Sequence, residues 1–256
     1  MIPDYFFLIA ATLLGLNFGS FLNVCIVRLP EDESVVKPRS KCPKCGKMIA
    51  WYDNIPVLSW VLLRGCCRHC GQPISFQYPL IELTVGLMWL ASAWWYGITV
   101  TGLAAAVFGT LLLGIAITDA RHYLIPNEYT WGGLGVGLVL SLAGGLDGLI
   151  TAVVGAATGF GLLYFVAWAG EKAFKKEAMG GGDIKMMTMV GSFVGWQGVL
   201  ITLFGGALLG TLIFVPLSFG NRERLVPFGV FLAGAAAIAF VFGDALVAWY
   251  MGFLGV

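Results

Sequence analysis

Seven apolar runs long enough to cross a bilayer as helices, at about 5–27, 80–97, 101–118, 128–145, 149–169, 197–219 and 225–252, dictate where this chain can fold. An eighth, shorter run occupies 184–196. Of the 256 residues, 59% are hydrophobic and 11% charged, with a mean hydropathy of +0.87, which excludes a water-soluble domain. The expected fold is an all-α polytopic membrane protein of about eight transmembrane helices.

Charge gives the orientation. The first run has no Lys or Arg before it and eight soon after it, the reverse of a cleavable secretory signal, so it reads as a retained span that starts outside. If all eight runs cross, the segments 28–79, 119–127, 170–185 and 220–224 share one side, and they hold the whole complement of 15 basic residues. That side is cytoplasmic by the positive-inside rule. A merely re-entrant 184–196 would put Arg222 and Arg224 outside, so a short, tilted or membrane-thinning sixth helix is expected there.

The segment 28–79 is rich in Pro, Cys, Lys and Arg and has few periodic apolar residues. It cannot bury a core of its own and needs a staple. Cys42-Pro43-Lys44-Cys45 and Cys67-Arg68-His69-Cys70 are two C-x-x-C knuckles with 21 residues between them, a pattern that suits four thiolates around zinc. Disulfides are the rival reading, and a cytoplasmic placement argues against them. Four protein ligands leave no open coordination position, so this zinc would be structural. Cys66 adjoins one ligand position and His69 lies between two, while Cys25 sits inside the first run. The chain thus divides into a first transmembrane helix (1–27), a small zinc-ribbon-like cytoplasmic insert with four cysteine ligands (28–79) and a seven-helix membrane core (80–256).

Two aspartates stand where apolar runs meet basic segments: Asp119 after the third run and Asp183 before the sixth. The charge count places both at the cytoplasmic membrane edge, where a carboxylate is costly unless it has a task. Side by side they would share one proton, as in an aspartic peptidase. Each also has a plainer reading. Asp119 stands two residues from Arg121 and pairs with it as a helix-end charge, and Asp183 interacts with the N-terminus of its own helix. The glycines of Gly180-Gly181-Gly182-Asp183 allow close backbone approach; as a phosphate cradle they would lack a preceding strand and carry a repelling carboxylate. Asp244 lies too far along the last run to join the pair, and Glu82 is better placed, for an ion pair or for substrate. Gly15 and Gly19 form a small-xxx-small pair, and Asn17 and Asn23 are span amides that need partners.

Taken in order, these features resemble one family, the type IV prepilin peptidases (prepilin leader peptidase/N-methyltransferase), GxGD-type intramembrane aspartic peptidases. The matching strings are Gly19-Ser20-Phe21-Leu22-Asn23-Val24 with Arg28-Leu29-Pro30, the two knuckles, and Trp51 through Trp60. Tyr78-Pro79-Leu80-Ile81-Glu82-Leu83, Asp119 with Ile125-Pro126-Asn127, Met179 through Lys185, and Pro227-Phe228-Gly229 complete the set. The resemblance implies that Asp119 and Asp183 are the catalytic pair and that Cys42, Cys45, Cys67 and Cys70 bind zinc. It implies a multi-pass protein of the bacterial inner membrane whose partners are prepilin or pseudopilin helices and membrane lipid, with no nucleic acid. The basic leader would be cut after a glycine, and the new amine, usually of Phe, methylated from S-adenosylmethionine. No Rossmann fingerprint marks a site for that methyl donor. The competing classes are an ion or proton transporter that uses the paired carboxylates and a non-catalytic assembly scaffold.

Overall fold

The structure, a computed structural model, describes residues 4–176, 179–217 and 227–255. Arg222 and Arg224 lie outside them. The helices are α1 (Asp4–Arg28), the short α2 (Leu58–Leu62), α3 (Gln77–Tyr96), α4 (Val100–His122), α5 (Asn127–Ser141), α6 (Gly145–Phe174), α7 (Gly181–Leu217) and α8 (Phe228–Leu254). The described residues hold no strand beyond two isolated antiparallel bridges, so the expected all-α class is what the chain adopts. Five helical stretches are long and apolar enough to cross a membrane: Tyr5–Glu31, Val100–His122, Asn127–Phe174, Gly181–Ile213 and Phe228–Phe253. The third of these contains both α5 and α6.

The chain forms two compact units, 1–110 and 111–256, with the boundary inside α4. In the first, α1 and α3 run antiparallel at close range because their facing positions lack side chains. A Cβ at Gly15 would lie 2.7 Å from Trp89 Cβ, one at Gly19 2.7 Å from Glu82 Cα, and one at Gly86 2.7 Å from Leu16 Cδ2. The small-xxx-small pair is thus a packing device, and Phe18 stacks on Trp89 with ring centroids 4.7 Å apart beside it.

The second unit is built around the start of α7. Residues 186–192 are buried on every side, the mark of a central helix. Its neighbours reach it backbone to backbone: a Cβ at Gly155 would overlap the Gly191 carbonyl, one at Gly191 the Gly155 carbonyl, and one at Gly159 the Met187 carbonyl. These pairings run in opposite directions along the two helices, so α6 and the start of α7 are antiparallel. On the other flank Gly133 faces Met189 and Gly137 faces Ser192, so α5 runs parallel to it.

Within α7 the backbone breaks at Gly195, with φ 67° and ψ −179°. Only glycine adopts that conformation readily, and Gly97 and Gly145, which separate successive helices, adopt it too. Packing shows what the break does. Beyond it, Gly205 meets Ala235, Gly206 meets Leu232 and Gly210 meets Phe231, so this half is antiparallel to α8. Helices α5 and α8 both begin near Ile125, which touches Gly182 and Gly229. The first half of α7 therefore leaves that end of the unit and the second half returns to it. The chain reverses one residue before the boundary read from hydropathy, and the first half, 181–194, spans only about 21 Å.

Gly191→Val is expected to lower stability by about 1–3 kcal/mol by forcing α6 and α7 apart, read as a lower thermal midpoint in detergent. Gly161→Ala, where a Cβ meets nothing within 4 Å, is expected to change stability by less than about 0.5 kcal/mol. Equal midpoints for the Val variant and the parent would rule out backbone contact at this crossing.

Candidate functional site

Asp119 lies in the last turn of α4, after Thr118, whose Oγ1 donates to the Gly114 carbonyl at 2.9 Å. The aspartate is 6% exposed. Its Oδ2 accepts from the backbone N–H of Val230 at 3.2 Å, in the first turn of α8, and the Gly229 N–H faces it as well. The first amides of a helix have no partner within it and carry partial positive charge, so this arrangement suits an ionised carboxylate. Gly229 is what permits the approach: a Cβ there would lie 2.8 Å from Asp119 Oδ2. Arg121 and His122 are exposed, and among the described residues Asp119 forms no ion pair. The helix-end charge pair weighed from sequence is absent there, and the partner is a helix start 111 residues away.

Asp183 opens α7, its backbone N–H donating to the Gly180 carbonyl at 3.1 Å. Among the described residues nothing donates a hydrogen bond to its side chain. It lies near enough to Asp119 for the two charges to interact. The contact between their supports is apolar: Ile125, 8% exposed, has Cδ1 3.0 Å from where a Gly229 Cβ would be and Cβ 3.1 Å from where a Gly182 Cβ would be. Lys185, two residues further on, donates to Asn127 Oδ1 at 2.8 Å and is thus directed at the start of α5. Asp244 is exposed, about 24 Å along α8 from its start, and takes no part.

In the N-terminal unit the four knuckle cysteines converge. The sulfurs of Cys42, Cys45, Cys67 and Cys70 all lie within 4.8 Å of one another, with Cys42 and Cys70 at 3.9 Å. Zn–S bonds of about 2.3 Å in a tetrahedron put sulfurs about 3.8 Å apart, whereas a disulfide needs about 2.05 Å. The donor set therefore fits a metal ion such as zinc. Backbone N–H groups of Cys45 and Lys44 pull the Cys42 thiol down to about 6, against burial, which readies it to bind as thiolate. Cys66 instead points at the Arg64 carbonyl at 3.6 Å, and His69 is exposed.

The two knuckles repeat one another. Cys42 N–H donates to Lys47 and Gly46 N–H to Cys42, while Cys67 N–H donates to Gln72 and Gly71 N–H to Cys67. Gly46 and Gly71 both take positive φ, at 70° and 67°. The string C-x-x-C-G, present twice, carried that signal in the sequence. The second knuckle is clamped by Arg68, which gives Asp53 two hydrogen bonds, at 2.8 and 2.6 Å, and holds its carboxyl below the usual range.

Comparison with known proteins gives two family matches along the chain. Residues 13–96 match the bacterial peptidase A24 N-terminal domain, and residues 106–215 match the type IV leader peptidase family. A prepilin leader peptidase/N-methyltransferase of Myxococcus xanthus is 42% identical over 84% of this chain and 66% of its own length. One of Aeromonas hydrophila is 36% identical over 93% of this chain and 92% of that protein, and one of Pseudomonas putida 36% identical over 100% and 97%. No solved structure matches. The chain belongs to the type IV prepilin leader peptidase/N-methyltransferase family.

Proposed function

We propose that this protein is a membrane aspartic endopeptidase that removes the basic leader of type IV prepilins or pseudopilins at the cytoplasmic face of the bacterial inner membrane, then methylates the new N-terminus. The observation that carries this reading is the pair of carboxylates at the end of α4 and the start of α7, close enough to interact yet set in different surroundings. The membrane placement is part of the same proposal: eight crossings, with 1–27, the zinc insert 28–79 and the core 80–256 as functional parts, and the basic segments inside. A substrate with a positive leader and an apolar helix then presents its junction at the level of the pair.

Two neighbouring carboxyl groups hold one proton between them. The α8 amides stabilise Asp119 as the ionised member, leaving the proton on Asp183. Asp119 takes a proton from a water as that water attacks the scissile carbonyl. Asp183 donates to the carbonyl oxygen, and the departing amine is protonated as the tetrahedral intermediate collapses. Cys42, Cys45, Cys67 and Cys70 would hold zinc, which fastens the insert and has no open position for chemistry. S-adenosylmethionine supplies the methyl group.

Asp119→Asn and Asp183→Asn are each expected to lower cleavage about 10²–10⁴-fold while the protein still inserts, measured by mass spectrometry of a prepilin after incubation. Near-parental cleavage by both variants would sink the reading. Gly229→Ala, whose Cβ would press on Asp119 Oδ2, is expected to slow turnover about 10- to 100-fold with little change in KM; unchanged turnover would show that the α8 contact is incidental. Metal analysis is expected to find about one zinc per chain. Removal by chelator, or Cys42→Ser, should lower the stability of the insert more than the rate of bond cleavage. Stoichiometric disulfides would overturn the metal assignment.

A further inference from the structure

The N-terminal unit contains a cavity of about 750 Å³ walled by α1, the start of α3 and the cysteine knuckles. Its lining mixes charges. The insert brings Lys37, Lys41, Lys44 and Lys47 together with Glu33 and Asp53, and α1 and α3 bring Arg28 as well as Asn23 and Glu82. Glu82 is 8% exposed and Asn23 is 2% exposed.

Both are underused acceptors. Glu82 Oε2 takes one hydrogen bond, from Val57 N–H at 2.7 Å, and Ser20 lies against the carboxylate. No Lys or Arg among the described residues pairs with it, so the ion pair weighed from sequence is absent there. A buried carboxylate with neutral donors alone remains short of countercharge. Asn23 Nδ2 donates to two carbonyls, Tyr78 at 3.1 Å and Gly19 at 3.3 Å, which fixes the amide orientation. Its Oδ1 is left buried without a hydrogen-bond partner. The two groups are neighbours: Gly19, one turn before Asn23, packs on Glu82 Cα, and Tyr78, one turn before Glu82, receives the Asn23 amide.

A buried charge and a buried orphan acceptor are satisfied together by a cation that has N–H donors. A primary ammonium supplies one positive charge and three of them. A sulfonium supplies charge and no donor. We propose that Glu82 and Asn23 form a primary-ammonium site in this cavity, and that it receives the new N-terminal amine of the processed substrate for methyl transfer. This use of the site rests on the methyltransferase reading above. Glu82 accepts a proton from the ammonium. The freed nitrogen lone pair forms the N–C bond to the methyl carbon of the sulfonium donor as the C–S bond breaks, its electron pair staying on sulfur. The products are an N-methylammonium, which carries the positive charge the sulfonium has lost, and a neutral thioether, and Glu82 passes its proton to water. The α-amino group of the donor itself has the same chemistry and is the second source to be tested.

The test is equilibrium binding to the full-length protein in detergent, with three probes. These are an apolar helical peptide beginning with a free-amine Phe, its N-acetylated twin, and S-adenosylhomocysteine. The parent is expected to prefer the free amine about tenfold or more, and Glu82→Gln and Asn23→Leu each to abolish that preference. Glu82→Gln keeps the shape and an acceptor for Val57 N–H, so it guards against misfolding of the Asn23 variant. Selective loss of S-adenosylhomocysteine binding in the variants would support the ammonium site and assign it to the donor. Equal binding of both peptides by the parent, with S-adenosylhomocysteine bound alike by parent and Glu82→Gln, overturns the site. A parent that prefers the free amine but transfers no methyl group supports the site and overturns the methyl-transfer reading instead.

Discussion

The close crossing of α6 and the first half of α7 is the constraint on which the unit that holds Asp119 and Asp183 depends. A helix buried on all sides cannot be positioned by an amphipathic stripe, because it has none. It is located by backbone fit, and Gly155, Gly159 and Gly191 provide that fit. Once the axis of this half-helix is set, so is the place of its first turn, and with it Asp183. The same economy of side chains recurs at Gly229, where a missing Cβ lets a carboxylate reach the start of α8. In a chain with 36 glycines, several are thus contact surfaces rather than hinges.

What the sequence disclosed and what it hid divide along physical lines. Hydropathy and charge are properties of single letters, so the helical class, the place of Asp119 and Asp183 at helix ends and the four-cysteine cluster could all be read. The partner of Asp119 could not, because a backbone amide has no letter and lies 111 residues away. The only trace was Pro227 and Gly229 flanking a helix start, which reads as helix entry without naming what the entry faces. Glu82 was open between an ion pair and substrate, since its hydrogen-bond donor is the amide of Val57, a non-glycine residue at φ 60° that the sequence does not single out. The turn at Gly195 was displaced by only one residue, because a reversal made with a single glycine leaves almost no polar interruption in the hydropathy trace.

The two knuckles show how a polar insert can be ordered without a core. Each is a tight loop with its own pair of backbone hydrogen bonds and one glycine at positive φ, and the four sulfurs meet at their tips. The Arg68–Asp53 pair ties the second knuckle to the turn at Trp51–Asp53, and Arg68 also lies 5.7 Å above the Tyr52 ring. The cysteine cluster, the ion pair and the ring contact therefore bear on one short stretch of chain. That stretch leads into Val57, whose amide meets Glu82, so the order of the insert and the surroundings of a buried carboxylate on α3 are mechanically linked.

Ile125 sits against both Gly182 and Gly229, the residues beside the two aspartate anchors. The gap between the carboxylates is therefore gauged by hydrocarbon. An ionic spacer would lengthen or shorten as its charge changed, and a hydrogen-bonded one would rotate. A packed isoleucine does neither, so a change of charge on either carboxylate would leave the frame around them with its dimensions unchanged.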